Sequence, residues 1–265
     1  MLLLTKDIFR RHELLGILIN RNLKIRYKNS TLGFFWSLLT PLLMIMIYSI
    51  FAGIMKWNMG RKDFLQFLVV GIVVWQFLVM CLNDSLSAIS GNSNLIKKTA
   101  FPRSILPLST VLANLVNFLL TGVVLLAFLL IMKTEFRHVY LLPLVLLTQC
   151  ALCLGLSLMI SASNVFFRDT EHIIGVVTLA WFFLSPVFYS VDLQLDKIAD
   201  GLHWAAFLNP MTGLLCSYRS ILMWSTSDPF PGVPLVSISF LVSWALLFAG
   251  VWIFQLTESK FADEL

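Results

Sequence analysis

The sequence predicts an all-α integral membrane protein. It would have six transmembrane helices, an N-terminal amphipathic helix lying in the interface, and two short re-entrant helices before the last span. Three observations lead there. Hydrophobic residues make up 58% of the 265 and charged residues only 12%, against about 25% charged in a soluble domain. The mean hydropathy is +0.87. The apolar residues are gathered into runs long enough for a ~30 Å hydrocarbon core, separated by short polar segments. So little charge cannot cover a water-facing surface, and lipid is therefore the solvent for most of the chain. The net charge of +5 fits basic residues set beside a membrane face; nucleic acid is not an expected partner.

Residues 6–28 are interrupted by charge too often to cross a bilayer. On a helical wheel Lys6, Arg10, Glu13, Arg21, Lys24 and Lys28 share one arc, while Ile8, Leu14, Leu15, Leu18, Ile19, Leu23 and Ile25 cover the other side; Ile17 and Arg26 break the pattern. That pattern predicts a helix lying in the interface; a plain basic tail is the alternative. Met1–Leu4 is too short for a signal-peptide core. The spans follow at 33–55, 64–82, 105–132, 140–166, 173–191 and 235–256. Pro41 lies inside the first and removes one backbone donor, which predicts a kink. Between the fifth and sixth spans, 202–208 and 211–224 are apolar and aromatic but too short to cross, and Asn209-Pro210 separates them. Both are expected to be re-entrant or interfacial within 202–224. With six spans both termini share a side, and the larger share of the 19 Lys and Arg falls there, so both termini are expected to be cytoplasmic.

None of the six spans carries Asp, Glu, Lys, Arg or His. Proton-coupled carriers generally need such groups as relays, as does a membrane hydrolase with a His–carboxylate or metal centre. The dipeptide Gly-Lys does not occur, so there is no P-loop to cradle a nucleotide. No catalytic, metal-binding or cofactor-binding residue is expected in this chain. If it moves a solute uphill, the energy enters from outside. Residues 92–107, NSNLIKKTAFPRSILP, are basic, punctuated by Pro102 and Pro107, and set between two apolar runs. They are suited to be gripped by an energy-supplying partner.

Other features read two ways. Cys150 and Cys153 form a CxxC in unbroken apolar sequence, which favours small thiols at helix contacts over redox chemistry. Gln76, Asn114, Asn117, Gln149 and Asn164 are neutral polar residues in the spans. They suit interhelical hydrogen bonds or a pore lining. The aromatics concentrated in the first and fifth spans form either interfacial belts or an uncharged track on which sugars stack.

Four stretches occur in order: RYKNSTLGFFWSLLTPLL (26–43), NLIKKTAFPRSILPLS (94–109), NVFFRDTEH (164–172) and LNPM (208–211). Together, over essentially the whole chain, they resemble the permease subunit of bacterial ABC-2 type exporters of cell-surface polysaccharide, the family of O-antigen, capsule and teichoic acid exporters. The resemblance implies a single ABC-2 type transmembrane domain over 1–265 in the bacterial inner membrane. It implies a homodimer with two copies of a separate ATP-binding subunit, which would hold the ATP and Mg. The cargo would be an undecaprenyl-diphosphate-linked, O-antigen-like polysaccharide.

The resemblance also implies roles for residues. Leu95, Ile96, Lys97, Lys98, Phe101, Pro102 and Arg103 would form a coupling helix inserted into the ATPase. Arg168, Asp169 and Glu171 would make a second cytoplasmic contact or a salt-bridged helix end. Arg21, Lys24, Arg26 and Lys28 would lie at the lipid-diphosphate entrance or anchor the topology. Trp36, Tyr48, Phe51, Trp181, Phe182, Phe183, Phe188 and Tyr189 would line the glycan conduit. A permease for a small lipid, drug or haem is the nearest alternative. A lipid-linked sugar transferase is another, but Asp84, Asp169 and Glu171 are too scattered in sequence to suggest its site.

Overall fold

The structure, a computed structural model, describes residues 12–27, 35–55, 63–98, 101–167, 169–224 and 230–264. Among these residues every regular element is helical. In chain order they are α1 (His12–Tyr27), α2 (Trp36–Met55), α3 (Phe64–Ser90), α4 (Ser93–Lys98), α5 (Ile105–Ile131), α6 (Leu142–Phe166), α7 (Thr170–Leu184), α8 (Val191–Leu195), α9 (Pro210–Leu222), α10 (Val233–Thr257) and α11 (Phe261–Glu264). Short 3₁₀ turns at Val139–Leu141, Asp200–Leu208 and Glu258–Lys260 precede α6, α9 and α11.

Among the described residues four helical stretches are long and apolar enough to cross a membrane: Phe64–Ser90, Ile105–Ile131, Val139–Phe166 and Val233–Glu264. This is a multi-pass membrane protein. Two shorter apolar stretches, Leu39–Ile50 in α2 and Thr170–Leu184, lie where the first and fifth spans are expected.

α3 is the central helix. It packs against α2, α5, α6, α7 and α9, and most of its side chains from Phe64 to Ile89 are buried, with Gln76, Asn83 and Ser87 left exposed. α6 lies against it and against α10. The α6–α10 crossing is close because glycine faces glycine. A Cβ on Gly155 would come 2.5 Å from the Leu246 carbonyl oxygen, and one on Gly250 would collide with the Gly155 carbonyl. In lipid, where hydrophobic burial gives helices no mutual attraction, such approach and interhelical hydrogen bonds hold a bundle together. Gln149 Nε2 donates to the Val74 carbonyl at 2.9 Å, the buried Tyr218 hydroxyl donates to Gln149 Oε1 at 2.7 Å, and Asn164 Nδ2 donates to the Leu86 carbonyl at 2.7 Å. Gln149 and Asn164 thus serve as interhelical bonds.

Two expected boundaries shift. α3 does not stop at Leu82 but runs on to Ser90. Leu82, Leu86 and Ile89 keep a buried stripe going, with Ser85 buried beside them and donating to the Cys81 carbonyl, while Asn83 and Ser87 take the exposed face. α7 stops at Leu184, well before Val191. Ser185 is extended (φ −100°, ψ 143°), the conformation that the following Pro186 imposes on its predecessor. The two apolar pieces in 202–224 appear as the 3₁₀ turn Asp200–Leu208 and α9, joined at Asn209, whose side chain caps α9 by accepting from the Met211 amide.

α1 does not present a uniform basic face away from the protein. Leu18 is buried in a second core cluster with Ile89, Ile96, Ile105, Leu106, Phe254 and Phe261, and Leu14 and Leu15 pack on its edge. Ile17, Lys24 and Ile25 point outward. Residues 6–11 and 28 of the expected interfacial helix fall outside the described residues. The polar-looking tail TESKFADEL also joins this core, because Phe261 is fully buried, 5.3 Å from Phe254 and 6.0 Å from Phe166 between ring centroids.

Candidate functional site

At one end of the bundle α1, the end of α3, α4 and the start of α5 meet. Arg21 Nη2 donates to Asn92 Oδ1 at 2.7 Å, and Asn22 Nδ2 donates to the Ser109 hydroxyl at 3.2 Å. Arg26 pairs with the Asp84 carboxylate and donates to Asn114 Oδ1 at 2.8 Å, while Asn114 Nδ2 donates to Asp84 Oδ2 at 2.9 Å. A guanidinium, a carboxylate and an amide therefore close a ring of bonds between α1, α3 and α5. The ion pair is partly exposed, so on its own it is worth on the order of 1 kcal/mol. Arg21 and Arg26 thus face into the protein, Lys24 is exposed, and Lys28 is outside the described residues. Asp84 and Asn114 are the partners that the sequence did not assign to Arg26; the Asn114/Asn117 pair on one face of α5 was the available signal.

α4 lies across this end. Ile96 is only 5% exposed and anchors the short helix in the second core cluster, with Phe101 packed at its edge. Arg103 donates from Nη1 to the Glu258 carbonyl and sits 6.0 Å from the Phe261 ring centroid, so it ties α4's following turn to α11. Pro102 is half-buried. Asn94, Leu95 and Lys97 face outward; the Lys98 side chain is outside the described set. Of the predicted coupling residues, Leu95 and Lys97 are exposed, while Ile96, Phe101 and Arg103 make interior contacts. Asp169 and Glu171 are exposed at the start of α7, where a negative charge is favoured by the helix dipole. Arg168 lies outside the described residues.

Two cavities adjoin here. One, of about 480 Å³, is lined by Arg21, Asn22, Asp84, Asn92, Thr110 and Asn117 among others. The second, of about 330 Å³, runs between α2, α3 and α5. Its polar lining comes from Thr40, Gln76, Asn114, Asn117 and Thr121, and its aromatic lining from Trp36, Tyr48, Phe77 and Phe118. Arg26 and Asn117 line both. A charged chamber therefore abuts an aromatic one whose one charged lining residue is the shared Arg26.

The predicted conduit aromatics fall into two sets on different faces of α3. Trp36 and Tyr48 face the second cavity, near Gln76. Trp181 and Phe182 instead pack on Trp75, with centroids 5.9 and 5.4 Å away, and Phe182 also meets Phe188 at 4.7 Å and Phe183 at 5.5 Å. Phe183 is exposed, and the Tyr189 hydroxyl donates to the Phe183 carbonyl at 3.2 Å. The Phe51 side chain is outside the described residues. Trp181 Nε1 donates to Asn209 Oδ1 at 2.8 Å, so the LNPM motif binds the fifth expected span to α9.

Residues 13–223 match a family described as ABC-2 type transporter. The chain is 34% identical, over a 272-residue alignment covering 100% of both chains, to the O-antigen export system permease protein RfbA of Myxococcus xanthus. It is 31% and 32% identical over 256 residues to two proteins of the same description from Klebsiella pneumoniae, with 96% of this chain and 95% of each relative covered.

Proposed function

Because this chain belongs to the ABC-2 type transporter family, we propose that it is the membrane permease of an ATP-driven exporter of O-antigen-like polysaccharide in the bacterial inner membrane. A separate ATP-binding subunit supplies the energy. In this reading two copies of the chain assemble with two such subunits. α2, α3, α5, α6, α7 and α10 are the six spans, and both termini lie on the cytoplasmic side with α4. The 3₁₀ turn Asp200–Leu208 and α9 then re-enter the membrane from the opposite side.

The observation that carries the reading is the pair of cavities meeting at Arg26 and Asn117. A polyprenyl diphosphate-linked glycan needs basic groups for its head and an uncharged surface for its sugars. The first chamber provides the guanidinium groups of Arg21 and of Arg26, the latter paired with Asp84 in the same lining. The second provides amides, hydroxyls and aromatic faces, with the single charged side chain, Arg26, at the shared wall. Exposed faces of α2 and α7, including Leu42, Met46, Val176 and Phe183, would be covered by lipid or by the second copy along the conduit. Leu95 and Lys97 on α4 meet the ATP-binding subunit.

Filling the second chamber tests this. Val73→Trp and Thr121→Trp each place an indole where the cavity is, and proteoliposomes holding the permease, its ATPase and lipid-linked glycan report export. Export falls at least about tenfold while ATPase binding persists, the loss that corresponds to about 1.4 kcal/mol at the limiting step. Undiminished export by both variants would remove the chamber from the route. Transport by the permease without any ATP-binding subunit would remove the whole reading.

A further inference from the structure

Along α7 only Thr170 and Thr178 are buried, and Ile174, Trp181 and Phe182 pack partly buried against the core. The far end of α7 is different. The turn that follows it, Ser185-Pro186-Val187, is gripped by both ends of α9. At the N-terminus of α9, Asn209 Nδ2 donates to the Ser185 hydroxyl at 2.9 Å, while Asn209 Oδ1 accepts both from Trp181 Nε1 at 2.8 Å and from the Met211 amide at 3.1 Å. One amide side chain therefore caps α9 and clasps α7.

Nearly three helical turns further on, Arg219 grips the same turn from the other side. It is only 5% exposed. Its Nη1 donates to the Pro186 carbonyl at 2.6 Å, and its Nη2 donates to the Val187 carbonyl at 2.7 Å and the Phe67 carbonyl at 3.2 Å. The guanidinium carbon stands 3.3 Å from the Phe67 ring centroid. Carbonyls in a non-helical turn within the membrane must find donors, and a planar fork reaches several at once where a lysine's point charge does not. Gly71 on α3 makes the space. A Cβ there would come 2.5 Å from Arg219 Nη2 and 2.8 Å from the Val187 oxygen.

We propose that Asn209 and Arg219 are positioning residues forming a two-point clamp, through which α9 sets the position of α7's far end, so that α7 and α9 move as one body during export. The functional half of this rests on the transporter reading; the clamp itself does not.

Hydrogen exchange on the full chain in nanodiscs tests it, followed at the amides of Val187, Phe188 and Tyr189, with α6 and α10 as internal references. Arg219→Met should speed exchange at 187–189 by about tenfold or more, the factor expected for a lost hydrogen bond to a charged group, with α6 and α10 unchanged. Arg219→Lys should fall between. Gly71→Ala keeps the arginine and by helix propensity alone should stabilise, yet the clamp requires it to behave like Arg219→Met; this variant also serves should Arg219→Met fail to insert. Wild-type exchange at 187–189 in Gly71→Ala and Arg219→Met overturns the clamp, as does faster exchange spread evenly over α6 and α10. Among clamp-loosened variants, slower ATP-driven glycan export with intact ATPase binding supports the coupled motion, and unchanged export overturns it. Exchange does not depend on the cargo, so a failed transporter reading leaves the exchange result standing.

Discussion

α3 and α7 are similar in composition and opposite in circumstance. Seventeen of the 27 residues of α3 are buried, whereas α7 buries two of its 15. The first is fastened by close packing and by amide side chains reaching its carbonyls from α6. The second hangs from its far end, on Asn209 and on the Arg219-held turn, and lays Trp181 and Phe182 on Trp75. An apolar helix in lipid gains nothing from hydrophobicity alone when it packs on a neighbour. Burial in this chain therefore marks where shape and hydrogen bonds fit. The buried α3, with α6 and the one face of α10 that crosses it, is the packed frame. α7, together with α2, is set against that frame with a face left for lipid or a second copy.

That contrast can be broken by substitution. The largest loss is expected at the α6–α10 crossing, where Gly250→Val drives a branched side chain into the Gly155 backbone. Overpacking a rigid contact costs about 1–3 kcal/mol, and the upper end is expected because backbone faces backbone. A lowered Tm in detergent would show it. Gln149→Leu comes next. It removes the bond to Val74 and leaves the Tyr218 hydroxyl without its acceptor, on the order of 1 kcal/mol at membrane values per bond, read in the same melt. Arg26→Asp should lose about 1 kcal/mol or less, and the Arg26→Asp/Asp84→Arg double variant should regain part of it if the pair is what matters. Smallest is Val176→Ala on the exposed face of α7, within about 0.5 kcal/mol of wild type for the single chain. A large drop in Tm there would mean that α7 is not peripheral, or that the second copy supplies most of its stability.

The frame was legible in the sequence because its physics is one-dimensional. Unbroken apolar runs locate Ile105–Ile131, Leu142–Phe166 and Val233–Thr257 within a few residues, and Asn209-Pro210 marks the cap of α9, since Asn caps and proline suits a first helical turn. The two shifted ends also have local causes, in Pro186 and in the buried stripe through Leu86 and Ile89. The candidate site was legible only in part. Leu95 and Lys97 stand on the outward side of α4, but Arg103 belongs to an interior contact with Glu258 and Phe261. Nothing near Arg103 in sequence says so. Phe261 lies seven residues after Phe254, the spacing of one helix face, and that was the sign of a buried tail. Arg219 stood alone in an apolar stretch, which in a membrane protein signals a specific partner; its partners are carbonyls, which no composition reveals.

Power should enter this permease through α4. ATP-dependent glycan translocation into proteoliposomes, with the partner ATPase and the Leu95→Glu/Lys97→Glu permease, tests it most directly. Both side chains are outward-facing, so the variant should fold and melt like wild type. Translocation should fall at least about tenfold. Translocation at the wild-type rate by a variant that still carries both substitutions would contradict it.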